Sequence, residues 1–347
     1  MRSAVRLAAG DGFHLDAVTC VDDHRGWSAA ELGSGHRLVL VRRGRFRRKA
    51  DGRAAVIDPA MAYLGVPGEE EHFAHPAGGD VCTSVSLTPR LWRTLAGDGP
   101  PARPTLYVDA RLDLAHRRFL AAARGGDTAF ELAESLLSLI GATLAQLASS
   151  STPASFGSGA TDAPRCGASS AEAPVPRTTP TALGPDGTEA PALGPRGAEA
   201  TTGTAPAPRP GGGGAAKADD WRSPSPAGRS TGGVRRSGAA IADAAREAIA
   251  ADHPAAGGLM SLAELLAVSP YQLSRAFTRE LGVSLTHYRN RVRVGRALDR
   301  LEDGEASLAG LAADLGFADQ AHLTRTIRHH VGHTPTALRR LLAPRTP

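Results

Sequence analysis

Cysteine, lysine and aromatic side chains are all scarce in this chain of 347 residues. The three cysteines, Cys20, Cys82 and Cys166, are odd in number and far apart. That excludes a disulfide framework and a four-cysteine zinc site, and it fits a reducing compartment. No apolar run approaches the roughly 18 residues of a membrane-crossing helix, so no membrane partner is expected. The opening MRSAVRLAAGDGFHL has no long apolar stretch and no clean cleavage pattern. A cytoplasmic location is therefore expected rather than secretion. A Gly-rich phosphate loop, a Gly-x-Ser-x-Gly elbow and a His-Glu-x-x-His pair are all missing, so neither an enzyme nor a cofactor is expected. Lys49 and Lys217 are the only lysines among 40 basic residues. The net charge of +5 and pI near 9.5 lean only mildly towards an anionic partner.

Large apolar residues are missing from one long stretch. Residues 148–236 hold 13 Pro and 15 Gly against six large apolar side chains, Phe156, Val175, Leu183, Leu193, Trp221 and Val234. So little apolar surface does not offset the entropy of ordering, and 149–236 reads as a disordered linker. Within it Ala182-Leu183-Gly184-Pro185 returns as Ala192-Leu193-Gly194-Pro195, a low-complexity repeat that implies no fold. About 90 residues of flexible coil span on the order of 50 Å. The folded ends, 1–148 and 237–347, are then expected to work almost independently.

The first of those ends carries strand patterns at 36–42, 45–50, 54–57, 62–66 and 81–87, punctuated by Asp51-Gly52, Asp58-Pro59 and Pro67-Gly68. Short strands at such intervals predict a sandwich or small barrel. Residues 113–124 and 127–147 read as helices parted by Gly125-Gly126. In the second, Leu132, Leu136, Leu139 and Ile140 recur at helical spacing, and Leu137 and Leu144 lie seven apart. That stripe either packs on its own β-domain or forms a dimer seam. Arg42, Arg43, Arg45, Arg47, Arg48, Lys49 and Arg53 make a basic hairpin. It reads as a solvated surface, a trap for an anionic effector, or a nonspecific DNA contact.

The other end reads as helical throughout, at 241–251, 259–267, 270–281, 286–302, 308–315, 320–331 and 335–342. It contains an internal repeat. Leu259-x-x-Leu262-Ala263-x-x-Leu266-Ala267-Val268 matches Leu308-x-x-Leu311-Ala312-x-x-Leu315-Gly316-Phe317 at an offset of 49. One residue later the offset becomes 50, and Ser269, Leu273, Arg275, Phe277 and Gly282 match Asp319, Leu323, Arg325, Ile327 and Gly332. In each copy a small residue (Ala263, Ala312) permits close helix crossing, a tight turn follows, and an N-cap starts the next helix. This is a helix-turn-helix, whose second helix enters a DNA major groove. The helix at 286–302 sets the spacing of the two units and carries Arg289, Arg291, Arg293, Arg296 and Arg300. Bulk charge adds little, since 238–347 holds 13 Arg against 11 acidic residues.

Residues 237–342 resemble the DNA-binding domain of the AraC/XylS family of bacterial transcription regulators. The resemblance rests on Gly316-Phe317-x-Asp319-Gln320-x-His322-Leu323-x-Arg325, on Gly332-x-Thr334-Pro335, and on Ser269-Pro270-Tyr271-x-Leu273-Ser274-Arg275-x-Phe277. Two positions depart from the pattern: Ile327 stands where Phe is usual, and Ala267 where the first turn usually has Gly. The resemblance implies that Tyr271, Gln272, Ser274 and Arg275 face DNA from the first recognition helix. From the second it implies Gln320, Ala321, His322, Thr324 and Arg325. A guanidinium bonds bidentately to guanine O6 and N7, which favours Arg275 and Arg325 as base readers. Gln272 and Gln320 suit adenine or phosphate, and Arg279 and Arg328 suit phosphate or a solvated face.

Members of that family often carry an N-terminal cupin-type β-barrel that binds a small effector. Asp58-Pro59, Pro67-Gly68, His75-Pro76 and Gly79-Asp80 resemble such domains. The expected fold is thus α+β and multidomain: a cupin-like β-barrel or sandwich with helices, a linker, and an all-α domain with two helix-turn-helix units. His72-x-x-His75, with Cys82 or Glu69, Glu70 and Glu71 nearby, does not give a standard cupin metal motif, and no metal site is expected. Gly332 separates His333 from His329 and His330, which read as residues at a helix C-terminus. The function expected is a sequence-specific, double-stranded-DNA-binding regulator, homodimeric, with RNA polymerase and a small-molecule effector as further partners. The rival is a metal-dependent cupin enzyme with an accessory DNA-binding domain.

Overall fold

The run Leu38-Val39-Leu40-Val41 is apolar without alternation because its strand is covered on both faces. Leu38 and Leu40 join a core beneath helices, while Val39 and Val41 join a second core between two sheets. The structure, a computed structural model, describes residues 2–98, 104–125, 130–151 and 236–343. Most of the linker expected at 149–236, together with Gly126 and the start of the helix expected at 127–147, lies outside the described residues.

The N-terminal domain has ten strands: β1 (Arg2–Gly10), β2 (Phe13–Cys20), β3 (Glu31–Leu32), β4 (His36–Arg43), β5 (Phe46–Ala50), β6 (Arg53–Ile57), β7 (Met61–Gly65), β8 (Glu70–Ala74), β9 (Asp80–Leu87) and β10 (Thr105–Tyr107). They form a six-stranded sheet, β1-β2-β9-β4-β7-β10, and a four-stranded sheet, β3-β8-β5-β6. Every pairing is antiparallel. This is the β-sandwich expected, with more strands than the sequence pattern marks. Asp51 (φ 49°) and Gly52 (φ 74°) make the β5–β6 turn, both in the left-handed region that a two-residue hairpin prefers.

Helices α1 (Pro89–Ala96), α2 (Ala110–Arg124) and α3 (Glu131–Ser151) cover the outer face of the larger sheet. Leu132, Leu136, Leu139 and Ile140 are all buried in that core, so this stripe packs on its own domain. Leu137 is exposed.

The C-terminal domain comprises α4 (Gly238–Ala250), α5 (Leu259–Leu265), α6 (Pro270–Leu281), α7 (Leu285–Glu302), α8 (Leu308–Asp314), α9 (Gln320–Val331) and α10 (Pro335–Leu342). It has two cores. Leu262, Ala263, Leu273, Phe277 and Tyr288 belong to the first, and Leu298, Leu311, Ala312, Leu323, Ile327 and Leu338 to the second. The long helix α7 feeds both, with Tyr288 at one end and Val294, Ala297, Leu298 and Leu301 at the other.

The two domains are not independent, contrary to the expectation from linker length. Ala110 and Leu114 of α2 are buried in the second C-terminal core, while Leu112 and Phe119 of the same helix are buried in the N-terminal one. Ala60 and Tyr107 join the first C-terminal core. A long connection controls how freely separated ends explore space, but buried contacts between those ends override it.

Candidate nucleic-acid interface

Each recognition helix starts at a side-chain cap. Ser269 Oγ accepts from Gln272 N at 3.1 Å, and Gln272 Oε1 accepts from Ser269 N at 3.1 Å, closing a capping box with Pro270 at the first helical position. In the second unit Asp319 Oδ1 accepts from His322 N at 2.6 Å. Both helices end on a left-handed glycine, Gly282 (φ 76°) and Gly332 (φ 85°), whose N–H returns to the last turn.

The apolar anchors Leu273, Phe277, Leu323 and Ile327 are fully buried, which turns the opposite faces outward. On α6 the residues Tyr271, Gln272, Ser274, Arg275 and Arg279 are all exposed. The Tyr271 hydroxyl accepts from Arg275 Nη1 at 2.6 Å, and the guanidinium lies 5.4 Å from the Tyr271 ring centroid. Tyr271 thus steadies the arginine one turn away, and this hydrogen bond raises the Arg275 pKa. On α9 Gln320, Ala321, Arg325 and Arg328 are exposed, while His322 and Thr324 are half-buried. His322 turns back, its ring 5.3 Å from that of Phe317 and its Nδ1 accepting from Ala318 N at 3.4 Å. Gln272 and His322 therefore spend part of their hydrogen-bonding capacity on caps, and Arg279 bonds Glu280 at 3.1 Å. Arg275 and Arg325 occupy equivalent exposed positions in the two units.

The arginines of α7 behave differently from a charged exposed stripe. Arg291 is among the largest fully buried side chains. It donates to the carbonyls of Val108 (2.8 Å) and Pro59 (3.2 Å) and pairs with Asp113 at 3.1 Å. Arg289 donates to the carbonyl of Gly257, and Arg296 to that of Ala250. Arg293 lies over Phe317, and Arg300 pairs with Glu305 and Asp314.

The basic hairpin divides: Arg43, Arg47 and Arg53 stay exposed, whereas Arg42, Arg45 and Arg48 turn to carboxylates. Arg48 is buried between Glu69 and Glu71 and over the ring of Tyr63. Arg42 pairs with Glu302 at 3.1 Å and Arg45 with Glu247 at 2.5 Å, both partners on C-terminal helices. Arg117 of α2 extends the same seam, bonding Asp299 and Glu302 at 2.8 Å each. Asp58, from the turn after β6, accepts from Arg246 at 2.5 Å and from the Tyr288 hydroxyl at 3.1 Å. None of these contacts uses the exposed faces of α6 or α9. Sequence reading missed the seam because its partners lie some 180 to 260 residues apart.

Between the sheets lies a cavity of about 220 Å³ whose lining includes His24, Arg37, Phe46, Tyr63 and Phe73. The grouping His72, His75 and Cys82 weighed from sequence is not what converges there. His72 turns to the carbonyl of Ser28 (3.0 Å) and to Glu70 (3.2 Å). His75 instead meets Cys20 and Asp80. Of the other histidine cluster, His329 and His333 are exposed and His330 packs: its ring lies 4.7 Å from His287, and burial, then the neighbouring His287 and His329, lowers its pKa to about 4.

Residues 262–341 match the family model described as a helix-turn-helix domain. An uncharacterized HTH-type transcriptional regulator of Staphylococcus aureus is 32% identical over 81 residues, which is 23% of this chain and 11% of that protein. The arabinose operon regulatory protein of Escherichia coli is 29% identical over 81 residues, 23% of this chain and 28% of that protein. A cupin superfamily protein of Desulfitobacterium hafniense, a solved structure, aligns over 25% of this chain and 78% of its own, with 15% identity and a TM-score of 0.23. The chain thus spans 11% to 28% of the length of these curated relatives.

Proposed function

We propose that this chain, whose residues 262–341 form an AraC-type helix-turn-helix domain, is a sequence-specific regulator of transcription. One observation carries the reading: Arg275 and Arg325 stand exposed at equivalent positions of two recognition helices, α6 and α9, mounted on one helix, α7. A helix of 18 residues is about 27 Å long. Successive major-groove segments lie about 34 Å apart, so α7 suits a spacer between two readers. Arg275 and Arg325 bond guanine edges. Tyr271, Ser274, Gln320, Ala321 and Thr324 complete the contact surface, with Gln272 and His322 contributing what their caps leave over. Arg279 and Arg328 meet phosphates.

The N-terminal domain senses a small molecule in the cavity between its sheets. It transmits the state of that cavity through the seam that α2 and the β4–β5 hairpin make with α7. The seam leaves both recognition faces open, so control acts by setting the placement of the two readers rather than by covering them. The protein works in the cytoplasm as a homodimer, with RNA polymerase as a further partner, and performs no catalysis.

Selection by the full chain from a random DNA pool at near-physiological salt tests the reading. A motif of two blocks about one helical turn apart is expected. No enrichment by folded protein overturns it.

A further inference from the structure

Cys20 is the last residue of β2 and pairs in register with Asp80, the first residue of β9. Partners in register point to the same face of the sheet, here towards the space between the two sheets. The turn after β8 brings His75 over them, its N–H bonded to the His24 carbonyl at 2.9 Å. Among the described residues, these three are the one group of His, Cys, Asp or Glu donors that converges: one donor atom from each lies within 4.8 Å of the other two. All three residues are buried, with relative exposures of 8%, 6% and 4% for Cys20, His75 and Asp80.

Two features distinguish this cluster from an ordinary buried hydrogen-bond network. First, its polar atoms are not satisfied by one another. His75 Nδ1 and Asp80 Oδ1 are buried without a hydrogen-bond partner, although His75 Nε2 approaches Asp80 Oδ1 to 3.0 Å. The approach lies within ion-pair distance but lacks hydrogen-bond alignment, as for two groups aimed at a shared point. The Asp80 oxygen left this way is costly unless something occupies the point it shares with His75 Nε2, while Nδ1 faces away from that point. Second, the carboxylate is already oriented from behind, since Cys82 Sγ donates to Asp80 Oδ2 at 2.8 Å. Outer hydrogen bonds of this kind aim a ligand's free oxygen.

We propose that Cys20, His75 and Asp80 form a binding site for a divalent transition metal, with Zn²⁺ the best match. Thiolate, imidazole and carboxylate together are the donor set of a borderline-soft ion, and they exclude Mg²⁺ and Ca²⁺, which take oxygen donors. The thiolate and carboxylate bring two negative charges, so the occupied site is neutral overall, as a buried site requires. On binding, the Cys20 sulfur forms a bond to the metal and its proton leaves to solvent. Three protein donors leave the fourth tetrahedral position open towards the cavity, where a water or an exchangeable ligand completes the shell. Among the charged groups lining the same cavity, Arg2 pairs with Glu31 at 2.9 Å and Arg37 with Glu71, while the His24 ring packs 4.9 Å from that of His75 with its Nε2 3.3 Å from the Phe73 carbonyl. The site stands apart from the DNA-binding reading, because it uses no residue of the C-terminal domain.

The test uses the full chain, stripped with a chelator and titrated with Co²⁺, then with Zn²⁺ in competition. One Co²⁺ per chain is expected, with a thiolate-to-cobalt charge-transfer band that Zn²⁺ displaces. In Cys20→Ser the band should vanish. His75→Gln and Asp80→Asn should weaken Zn²⁺ binding more than about 100-fold, beyond the usual cost of losing an outer hydrogen bond. Cys82→Ser and His72→Gln, which remove no proposed ligand, should keep the band. Circular dichroism checks the fold of every variant, and His75→Gln and Asp80→Asn decide the matter if Cys20→Ser unfolds. Absence of a band in the folded wild-type chain overturns the site. So does a band that survives Cys20→Ser or disappears in Cys82→Ser. Success or failure of DNA selection leaves this result untouched, so the two readings fail separately.

Discussion

Arg291 of α7 and Asp113 of α2 form a buried ion pair at 3.1 Å, joining a C-terminal helix to an N-terminal one. Arg117 holds the same carboxylate from its own helix at 3.0 Å. Charges taken out of water are costly unless paired and hydrogen-bonded, and here two guanidiniums surround one carboxylate. The pair is therefore a latch whose loss leaves uncompensated charge inside the seam.

Asp113→Asn should destabilise the protein by about 3–5 kcal/mol, as expected when one partner of a buried pair is removed. Urea denaturation followed by fluorescence measures it. Burial alone would raise the Asp113 pKa, but Arg117 and Arg291 outweigh it and hold the carboxyl at about 2, below its ordinary 3.8. With the folded pKa depressed, the stabilisation is present above about pH 4 and is lost as pH falls towards 2. The wild-type stability curve should therefore drop across that window, and the Asp113→Asn curve should be flatter there.

His116, buried in the same seam, titrates in a different window. Burial first, then the nearby Arg42, lowers its pKa to about 3 from 6.5. The unfolded chain takes up a proton below about pH 6.5 while the folded one does not, so stability falls as pH drops from 6.5 towards 3. His116→Leu should flatten the curve between pH 6.5 and 4. An unchanged slope would mean that the imidazole is protonated in the folded protein.

Ala267 and Gly316 occupy the same left-handed turn position, at φ 52° and φ 69°. A Cβ in that conformation costs about 1–2 kcal/mol, which glycine does not incur. Ala267→Gly should therefore stabilise the protein by about 1 kcal/mol, and Gly316→Ala should destabilise it by a similar amount. Thermal melts should shift by about 2–4 °C in opposite directions.

Arg275→Ala and Arg325→Ala should leave stability within about 0.5 kcal/mol, since both side chains are exposed. Each should relax preference at its own base pair, at a cost of roughly 1–3 kcal/mol in discrimination. Arg328→Ala should instead weaken binding to all sequences and lower the salt dependence. Competition binding with single-base variants of the selected site separates the two patterns. Equal loss on every sequence for Arg275→Ala would assign that residue to backbone contact.

The C-terminal helices were legible because their signals are local. Ser269 with Pro270, Asp319, Gly282 and Gly332 mark ends within one turn, and Leu273 and Phe277 repeat on a period that no distant partner alters. The strands were harder. Glu70 to Ala74 reads as polar, yet it is β8, because Glu71 is buried against Arg37 and Arg48 of strands far away in sequence. Thr105–Tyr107 is too short for a pattern, and only its pairing with β7 makes it a strand.

The sequence by itself therefore determined the double helix-turn-helix, its caps, the outward face that carries Arg275 and Arg325, and the sandwich character of the first half. Tertiary structure alone decided where the buried charges went. Arg42, Arg117, Arg246 and Arg291 look like surface arginines in one dimension, and they become the joint between two domains once Asp58, Asp113, Asp299 and Glu302 arrive opposite them. It also placed Cys20 beside His75 and Asp80. The physical reason is the same in both cases. Caps and helical periods act over a few residues, whereas ion pairing and ligand convergence depend on distances in space that sequence separation does not encode.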